Sequence, residues 1–409
     1  MMNAPATLTA RQIRTLITLS CGAFASQASV RLCDPMLPQL SAELGESLGE
    51  VAQTITSFSI AYGLFQLIHG PMGDRFGKLR WVRYATVSAA IASLACMFAG
   101  SLLQLITLRF LTGAACAALI PLSLAWIGDS VPYQNRQNVL AKLMTGSTIG
   151  VVFGQVAGGV LADTIGWRLS FGFPAVVLAA VAAVLFLDAR RDARDARDAP
   201  QDLVTEPGPV PSPRVIARQF GSVLAVPWAR VLLTVVFIEG MLVYGAFAYV
   251  PSWLHLHYDM PLWQCGLAAA GFGVGGMIYA LSSSVLIKQL GERGLLIGGS
   301  SSFAIGMLLI GGSWWPAQSL YCALAGLGFF MMHNTLQVHA TQMAPNARGT
   351  GIAAFAVGLF SGQSTGVAVG SVLVGAIGFE SVLLGSSVLL MALAGTMSML
   401  LTARNRSPS

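Results

Sequence analysis

Apolar stretches of about 18 residues or more recur along almost the whole chain, and each is long enough to cross about 30 Å of hydrocarbon as a helix. Only 10% of the residues are charged, against about 25% in soluble proteins, and the mean hydropathy is +0.70. That much apolar surface cannot hide in one aqueous core, so the chain is expected to be an all-α polytopic membrane protein. Helices are expected near 14–38, 51–71, 80–100, 103–126, 138–162 and 168–187, and again near 229–252, 262–287, 293–312, 316–340, 350–375 and 380–402. Between the sets, DARRDARDARDAP and the prolines Pro200, Pro207, Pro209, Pro211 and Pro213 cannot span a bilayer and predict a solvated linker. The expected organisation is a six-helix half over 1–187, a linker over 188–228 and a second six-helix half over 229–409: twelve transmembrane helices in two halves.

A net charge of +6 would suggest nucleic acid in a soluble protein, but here its placement reports topology. With the N-terminus inside, the cytoplasmic loops hold Arg75, Lys78, Arg80, Arg83, Arg136, Lys142, the linker arginines, Lys288, Arg293 and Arg348. The opposite loops hold almost none but Arg168, and Arg11, Arg14, Arg404 and Arg406 place both termini in the cytoplasm. The expected setting is a bacterial inner membrane, with the lipid bilayer as partner and no nucleic acid. Arg11 and Arg14 before an apolar run and Ala23-Phe24-Ala25 also resemble a cleavable signal, but the repeat described next needs this helix. Cys21, Cys33, Cys96, Cys116, Cys265 and Cys322 are scattered singly, which suits packing and neither disulfides nor a metal.

The two halves read as copies. Pro38 and Pro251, Pro132 and Pro345, and Arg136 and Arg348 stand 212 or 213 residues apart. The glycines Gly146, Gly150, Gly154 and Gly158 recur at an offset of 212 as Gly358, Gly362, Gly366 and Gly370. Glycines at i+4 spacing line one helix face and let another backbone approach closely. Parallel six-helix repeats define a transporter architecture whose site lies between the halves near the midplane.

Three motifs then carry a resemblance. Gly70-Pro71-Met72-Gly73-Asp74-Arg75-Phe76-Gly77-Lys78, read as a charged hairpin over 70–80 between helices 2 and 3, is similar to the loop 2–3 signature of the major facilitator superfamily. The chain resembles that family over essentially its whole length. The resemblance implies a cytoplasmic gate in which Asp74 faces the N-terminal end of helix 11, where the helix dipole favours a carboxylate, with Arg75 and Lys78 paired nearby, a contact that locks the cytoplasmic side in the outward-facing state. The same cations also set topology. The second-half turn Lys288-Gln289-Leu290-Gly291-Glu292-Arg293 keeps the glycine but has Lys288 where Asp74 stands, which makes the gate asymmetric.

The second motif, Leu105 to Gly113, resembles the family's element with an intramembrane arginine, Arg109, four residues before a glycine. Arg109 is either a buried functional group or a side chain snorkelling from the helix end. Cys322 takes its place in the second half. The third, Gly150-Val151-Val152-Phe153-Gly154-Gln155-Val156-Ala157-Gly158-Gly159, is similar to the antiporter signature of the family's exporters, with Gln155 where that signature has proline. Losing the proline removes a kink and part of the case for antiport.

In helix 1, Gln27, Arg31 and Asp34 share one stripe that must face protein or a water-filled cavity. Asp34 followed by Pro38 resembles the helix 1 element of twelve-helix drug/proton antiporters. Arg31 and Asp34 form either a coupling pair or a fixed pair that neutralises itself. Glu239 stands in helix 7 with no obvious local partner, as a candidate proton carrier, a cation-binding group or a carboxylate bonded to a neighbouring helix. His333, Asn334 and Gln337 are expected to line a cavity. His255 and His257 lack a third ligand and read as loop residues.

Phe58, Tyr62 and Phe65 on helix 2 and Tyr244, Phe247 and Tyr249 on helix 7 read either as cavity aromatics suited to organic cations or as packing. Arg31 and Arg109 suit a carboxylate-bearing cargo instead. The expected function is a monomeric secondary transporter that exports a small organic or drug-like substrate in exchange for protons, with Asp34, Arg109 and Glu239 as coupling set. The alternative is a proton-linked importer or exchanger of an organic anion. No cofactor is expected, since no phosphate-binding loop of an ATP-driven pump is seen. An enzyme lacks its nucleophile motifs, and a non-transporting sensor its extra soluble domain.

Overall fold

The computed structural model describes residues 8–195, 213–344 and 348–406. Helix α1, Ala10–Arg31, opens on a capping box in which Thr9 accepts from the Gln12 amide and Gln12 accepts from that of Thr9. Pro35 and Pro38 cannot donate to the helical ladder, so the chain passes through a 3₁₀ turn, Asp34–Met36, into α2, Leu37–Leu44. A short α3, Leu48–Val51, leads to α4, Gln53–Phe76. The expected hairpin over 70–80 is corrected here: the motif is helical through Phe76, with Pro71 inside α4, and only Gly77, at φ 85, makes the turn.

Then follow α5, Lys78–Cys96; α6, Leu102–Cys116; α7, Leu119–Ser130; α8, Tyr133–Ser170, broken at Gly166; and α9, Gly172–Asp195. The second set comprises α10, Pro213–Leu224; α11, Pro227–Phe247; and α12, Val250–Tyr258, the last pair interrupted ahead of Pro251 as helix 1 is around Pro35 and Pro38. It continues with α13, Leu262–Leu309; α14, Trp315–Ala340; α15, Arg348–Ile377; and α16, Phe379–Arg406.

Nine helical stretches among the described residues are long and apolar enough to cross a membrane. One of them, α13, has 48 residues and is broken at Gly291, with φ 60 and ψ −179. At 1.5 Å per residue it measures about 72 Å, twice the hydrocarbon thickness and more, so it provides two spans. With α5 and α14, 19 and 26 residues long, the arrangement is consistent with twelve.

The expected solvated linker is corrected in part. Helix α9 runs on to Asp195, and α10 presses Val223 into the core with Phe220 packed beside it. The pattern V-I-x-x-x-F-x-x-V repeats at helical spacing, so this segment has an apolar face to bury. Pro200, Pro207, Pro209, Pro211 and Pro345 lie outside the described residues.

The glycine ladders have definite partners. A Cβ added at Gly146, Gly150, Gly154 or Gly158 would come 2.9, 2.3, 2.4 or 2.2 Å from the carbonyl oxygens of Ser20, Phe24, Ala28 and Leu32. At Gly362, Gly366 and Gly370 it would meet the carbonyls of Phe237, Met241 and Gly245 at 2.0, 2.1 and 2.5 Å, while Gly358 faces Val236 Cγ1 at 2.8 Å. Backbone thus lies directly on backbone, α8 on α1 and α15 on α11, and any side chain would wedge them apart. Phe237, Met241 and Gly245 each follow Phe24, Ala28 and Leu32 by 213, so the repeat extends to the partners.

Between the halves, α4 meets α15 and α8 meets α13. Gln363 Nε2 donates to Ser59 Oγ at 2.8 Å and Ser364 Oγ to the Thr56 carbonyl at 3.1 Å. Gly159 sits against the Leu262 carbonyl and Gly266 against that of Gln155. The Trp263 amide donates to Asp163 Oδ2 at 2.7 Å, so a carboxylate of the first half caps the start of α13. All these contacts lie in the half of the bundle away from the chain termini.

Candidate functional site

A cavity of about 880 Å³ occupies the middle of the bundle, walled by Gln27, Arg31, Met144, Ser147 and Thr148 from one half and Tyr244, Phe272, Phe329, Phe330 and His333 from the other. Its walls continue through Tyr279 and Gln337 to Ile287, Glu292 and Thr341, beside the turns at the terminus end. The cavity therefore opens toward that end, and the seam contacts of α4 with α15 and of α8 with α13 close the other.

At the deep end of the first half, the proline-driven break after α1 leaves Asp34 fully buried and Arg31 5% exposed. Arg31 Nη1 stands 3.5 Å from Asp34 Oδ2, Nη2 donates to Gln363 Oε1 at 3.4 Å, and the guanidinium lies 4.1 Å over the Tyr244 ring. Gln155 Nε2 donates to Asp34 Oδ2 at 2.9 Å. Sequence reading noticed Gln155 only as a missing proline. Its partnership with Asp34 needs the register of α8 on α1, which the glycine ladder fixes.

In the second half, His333 Nδ1 and Glu239 Oε2 share a hydrogen bond of 2.9 Å, Glu239 being fully buried. Glu239 thus has no partner on its own helix and bonds to a neighbouring one, its partner lying 94 residues away on α14. His333 stacks on Phe329 at 5.1 Å and touches the cavity, as do Asn334 and Gln337; Asn334 also donates to the Phe330 carbonyl. The dyad thus joins a buried acid to a wall residue.

Arg109 does not snorkel. It is 1% exposed, donates through Nη2 to the Ser29 carbonyl at 2.9 Å and through Nε to that of Thr54 at 3.4 Å, and lies 4.2 Å over Phe58. One turn on, Gly113 packs on the Phe58 carbonyl, so the motif ties α6 to α1 and α4. Arg109 does not line the cavity.

Neither do Phe58, Tyr62, Phe65 and Phe247, and here the packing reading replaces the cavity reading. Tyr62 accepts from Gln27 Nε2 at 3.2 Å and packs on Phe360 across the seam, while Phe65 packs on Phe110. Helix rotation turns Tyr244 inward and sets Phe247 against Phe272 at 4.3 Å. His255 and His257 lie in α12 and not in a loop; His255 Nδ1 donates to the Met260 carbonyl.

At the terminus end, the side chain of Asp74 is 73% exposed and pairs with Lys78 at 3.9 Å, while Lys78 also bonds Asp129 of α7. Arg75 lies over Phe76, and Gly70 faces open space. Among the described residues Asp74 bonds to no residue of α15; the cavity opens toward this end, whereas the expected gate contact belongs to the outward-facing state. Asp129 was missed from sequence, as was His69, whose Nε2 donates to the Ala114 carbonyl at 2.7 Å and whose Nδ1 accepts from Trp81 Nε1 at 2.8 Å. Among the described residues no group of three or more His, Cys, Asp or Glu could hold a metal ion. The six cysteines are free thiols, five of them buried.

Residues 19–367 match the sequence model of the Major Facilitator Superfamily. The chain belongs to this superfamily. This transporter is similar to an uncharacterized MFS-type transporter, YceJ, of Bacillus subtilis (strain 168), at 25% identity over 83% of each chain. It is also similar to the multidrug export protein EmrB of Escherichia coli (strain K12), at 29% identity over 38% of this chain and 30% of that one. In fold it resembles the POT family transporter PepTSo, with a TM-score of 0.72, 14% identity and coverage of 97% and 99%. It likewise resembles a bacterial homologue of the human lysosomal transporter Spinster, with a TM-score of 0.69, 16% identity and coverage of 98% and 100%. The protein is thus a multi-pass membrane transporter of the major facilitator fold, with bacterial relatives.

Proposed function

We propose that the protein is a proton-coupled exporter of small organic or drug-like compounds, working by alternating access as a monomer in a bacterial inner membrane. On this reading residues 1–187 and 229–409 rock as two bodies joined by 188–228, and both termini and the cavity mouth face the cytoplasm. The observation that carries it is a pair of buried acids, Asp34 with Arg31 and Glu239 with His333, set beside one central cavity from opposite halves. An acid buried in a bilayer is costly when ionised and needs a partner, so its charge state responds to which side of the membrane the cavity opens. Protonation would weaken the Arg31–Asp34 attraction and release Arg31 toward Tyr244 and Gln363, its contacts in the other half. Arg109, held by backbone carbonyls, supports the α1–α4–α6 geometry around this step. The similarity to EmrB over part of the chain supports export.

The second reading, an importer or exchanger of an organic anion, has its own observation: Arg31 lines the cavity and its Nη1 makes no hydrogen bond. Proteoliposomes under an imposed pH gradient, challenged with panels of organic cations and anions, separate the two. Cations that dissipate an inside-acidic gradient, with the effect lost in Asp34→Asn, are the expected result. Proton movement with anions alone supports the second reading.

A further inference from the structure

We propose that Gln155 is the positioning residue for the proton on Asp34, its amide turning over to serve the ionised carboxylate with its nitrogen and the neutral acid with its oxygen. The inference rests on Asp34 being a proton carrier.

Three buried polar atoms converge at this point without hydrogen bonds: Arg31 Nη1, Asp34 Oδ1 and Gln155 Oε1. Gln155 is 1% exposed and its Nε2 donates to Asp34 Oδ2 at 2.9 Å. An ionised carboxylate only accepts, so the amide nitrogen must face it, and the amide oxygen is left over. A proton on Asp34 creates an O–H that needs an acceptor. The nearby cations, Arg31 on α1 and Arg109 on α6, have none to offer. The Cys33 thiol beside Asp34 accepts weakly, and Tyr244 and Glu239 face this region from the other half. The unpaired oxygen of Gln155 is one rotation away, about a terminal torsion that is broad and roughly two-fold. Proline, which the family signature places here, and an aliphatic residue supply neither donor nor acceptor.

The backbone of the same residue adds a consequence. Gly154 and Gly158 hold α8 against the Ala28 and Leu32 carbonyls, and the Gln155 carbonyl lies 2.5 Å from where a Cβ on Gly266 would stand. Gln155 therefore touches Asp34 with its side chain and the opposite half with its main chain, at the seam that closes the far end. The proton state of Asp34 and the seam share this one residue.

The test is infrared difference spectroscopy on the full chain in lipid bilayers across a pH step. A carboxylic-acid carbonyl band that Asp34→Asn abolishes identifies the Asp34 proton. In Gln155→Met, unbranched and of similar length, the band is expected at higher frequency, because the acid loses its acceptor, together with a fall of about ten-fold in proton-driven transport, the scale of one lost hydrogen bond. In the unaltered chain carrying carbon-13 at glutamine amide carbonyls, the same step is expected to shift one amide band, which Gln155→Met removes. An Asp34-dependent band that Gln155→Met leaves in place, with no glutamine band responding in the unaltered chain, overturns the role of Gln155 while Asp34 stands. Absence of any Asp34-dependent band overturns both.

Discussion

The two buried acids are held in different ways. Asp34 faces a permanent cation, Arg31, and an amide, whereas Glu239 faces a histidine, whose ring is charged in only one of its protonation states. A proton on Asp34 leaves Arg31 as an unneutralised cation, whereas one proton shared between Glu239 and His333 leaves a pair with no net charge whichever group holds it. A transporter with one of each has a fixed electrostatic anchor in one half and a removable one in the other. The halves are copies in backbone and not in charge.

Removing the protonation step from each half sharpens this contrast most. Asp34→Asn leaves Arg31 uncompensated and is expected to lower proton-driven uptake in vesicles by about 100-fold. Glu239→Gln leaves a histidine that still has an acceptor, so transport is expected to survive with altered pH dependence. Equal loss in both variants would erase the distinction.

Next come the ladders, where the halves are alike. Gly150→Leu and Gly362→Leu each drive a side chain into a facing backbone carbonyl and are expected to cost about 3 kcal/mol or more of stability, read as a lower melting temperature in detergent. Similar losses from the two substitutions would confirm equivalent packing.

Arg109→Ala tests the half that bears the extra charge. It strands the Ser29 and Thr54 carbonyls and is expected to cost about 2 kcal/mol of stability with little change in substrate KM, since Arg109 lies off the cavity wall. A large rise in KM would restore Arg109 to the substrate site.

The smallest effect concerns the two ends. Asp163→Ala removes the cap on α13 at the closed end, a change of about 1 kcal/mol. It is expected to raise deuterium uptake at Trp263, and also around Ser59 and Gln363 if the cap helps close the whole seam. Uptake confined to Trp263 would make it a local cap.

Much of the architecture was legible in the chain itself. Apolar runs, the charged turns, the prolines of helices 1 and 7 and the glycine offset of 212 are local or periodic signals, and membrane burial leaves few folds that satisfy them. The motif at 70–80 was harder, because a membrane helix can carry an internal proline when its surroundings re-satisfy the freed carbonyl, and this helix ran on through Pro71 to Phe76. The aromatic stripes of α4 and α11 misled because any buried helix needs such residues, and sequence does not say which side holds the cavity.

Sequence by itself determined a membrane-spanning helical chain of two related halves with a few buried charges. Only the tertiary structure decided that Glu239 meets His333, that Gln155 meets Asp34, that Lys78 meets Asp129, and which end is closed. Those outcomes depend on helix register and on the tilt of one half against the other. Both arise from contacts between residues tens to hundreds of positions apart, which no local pattern encodes.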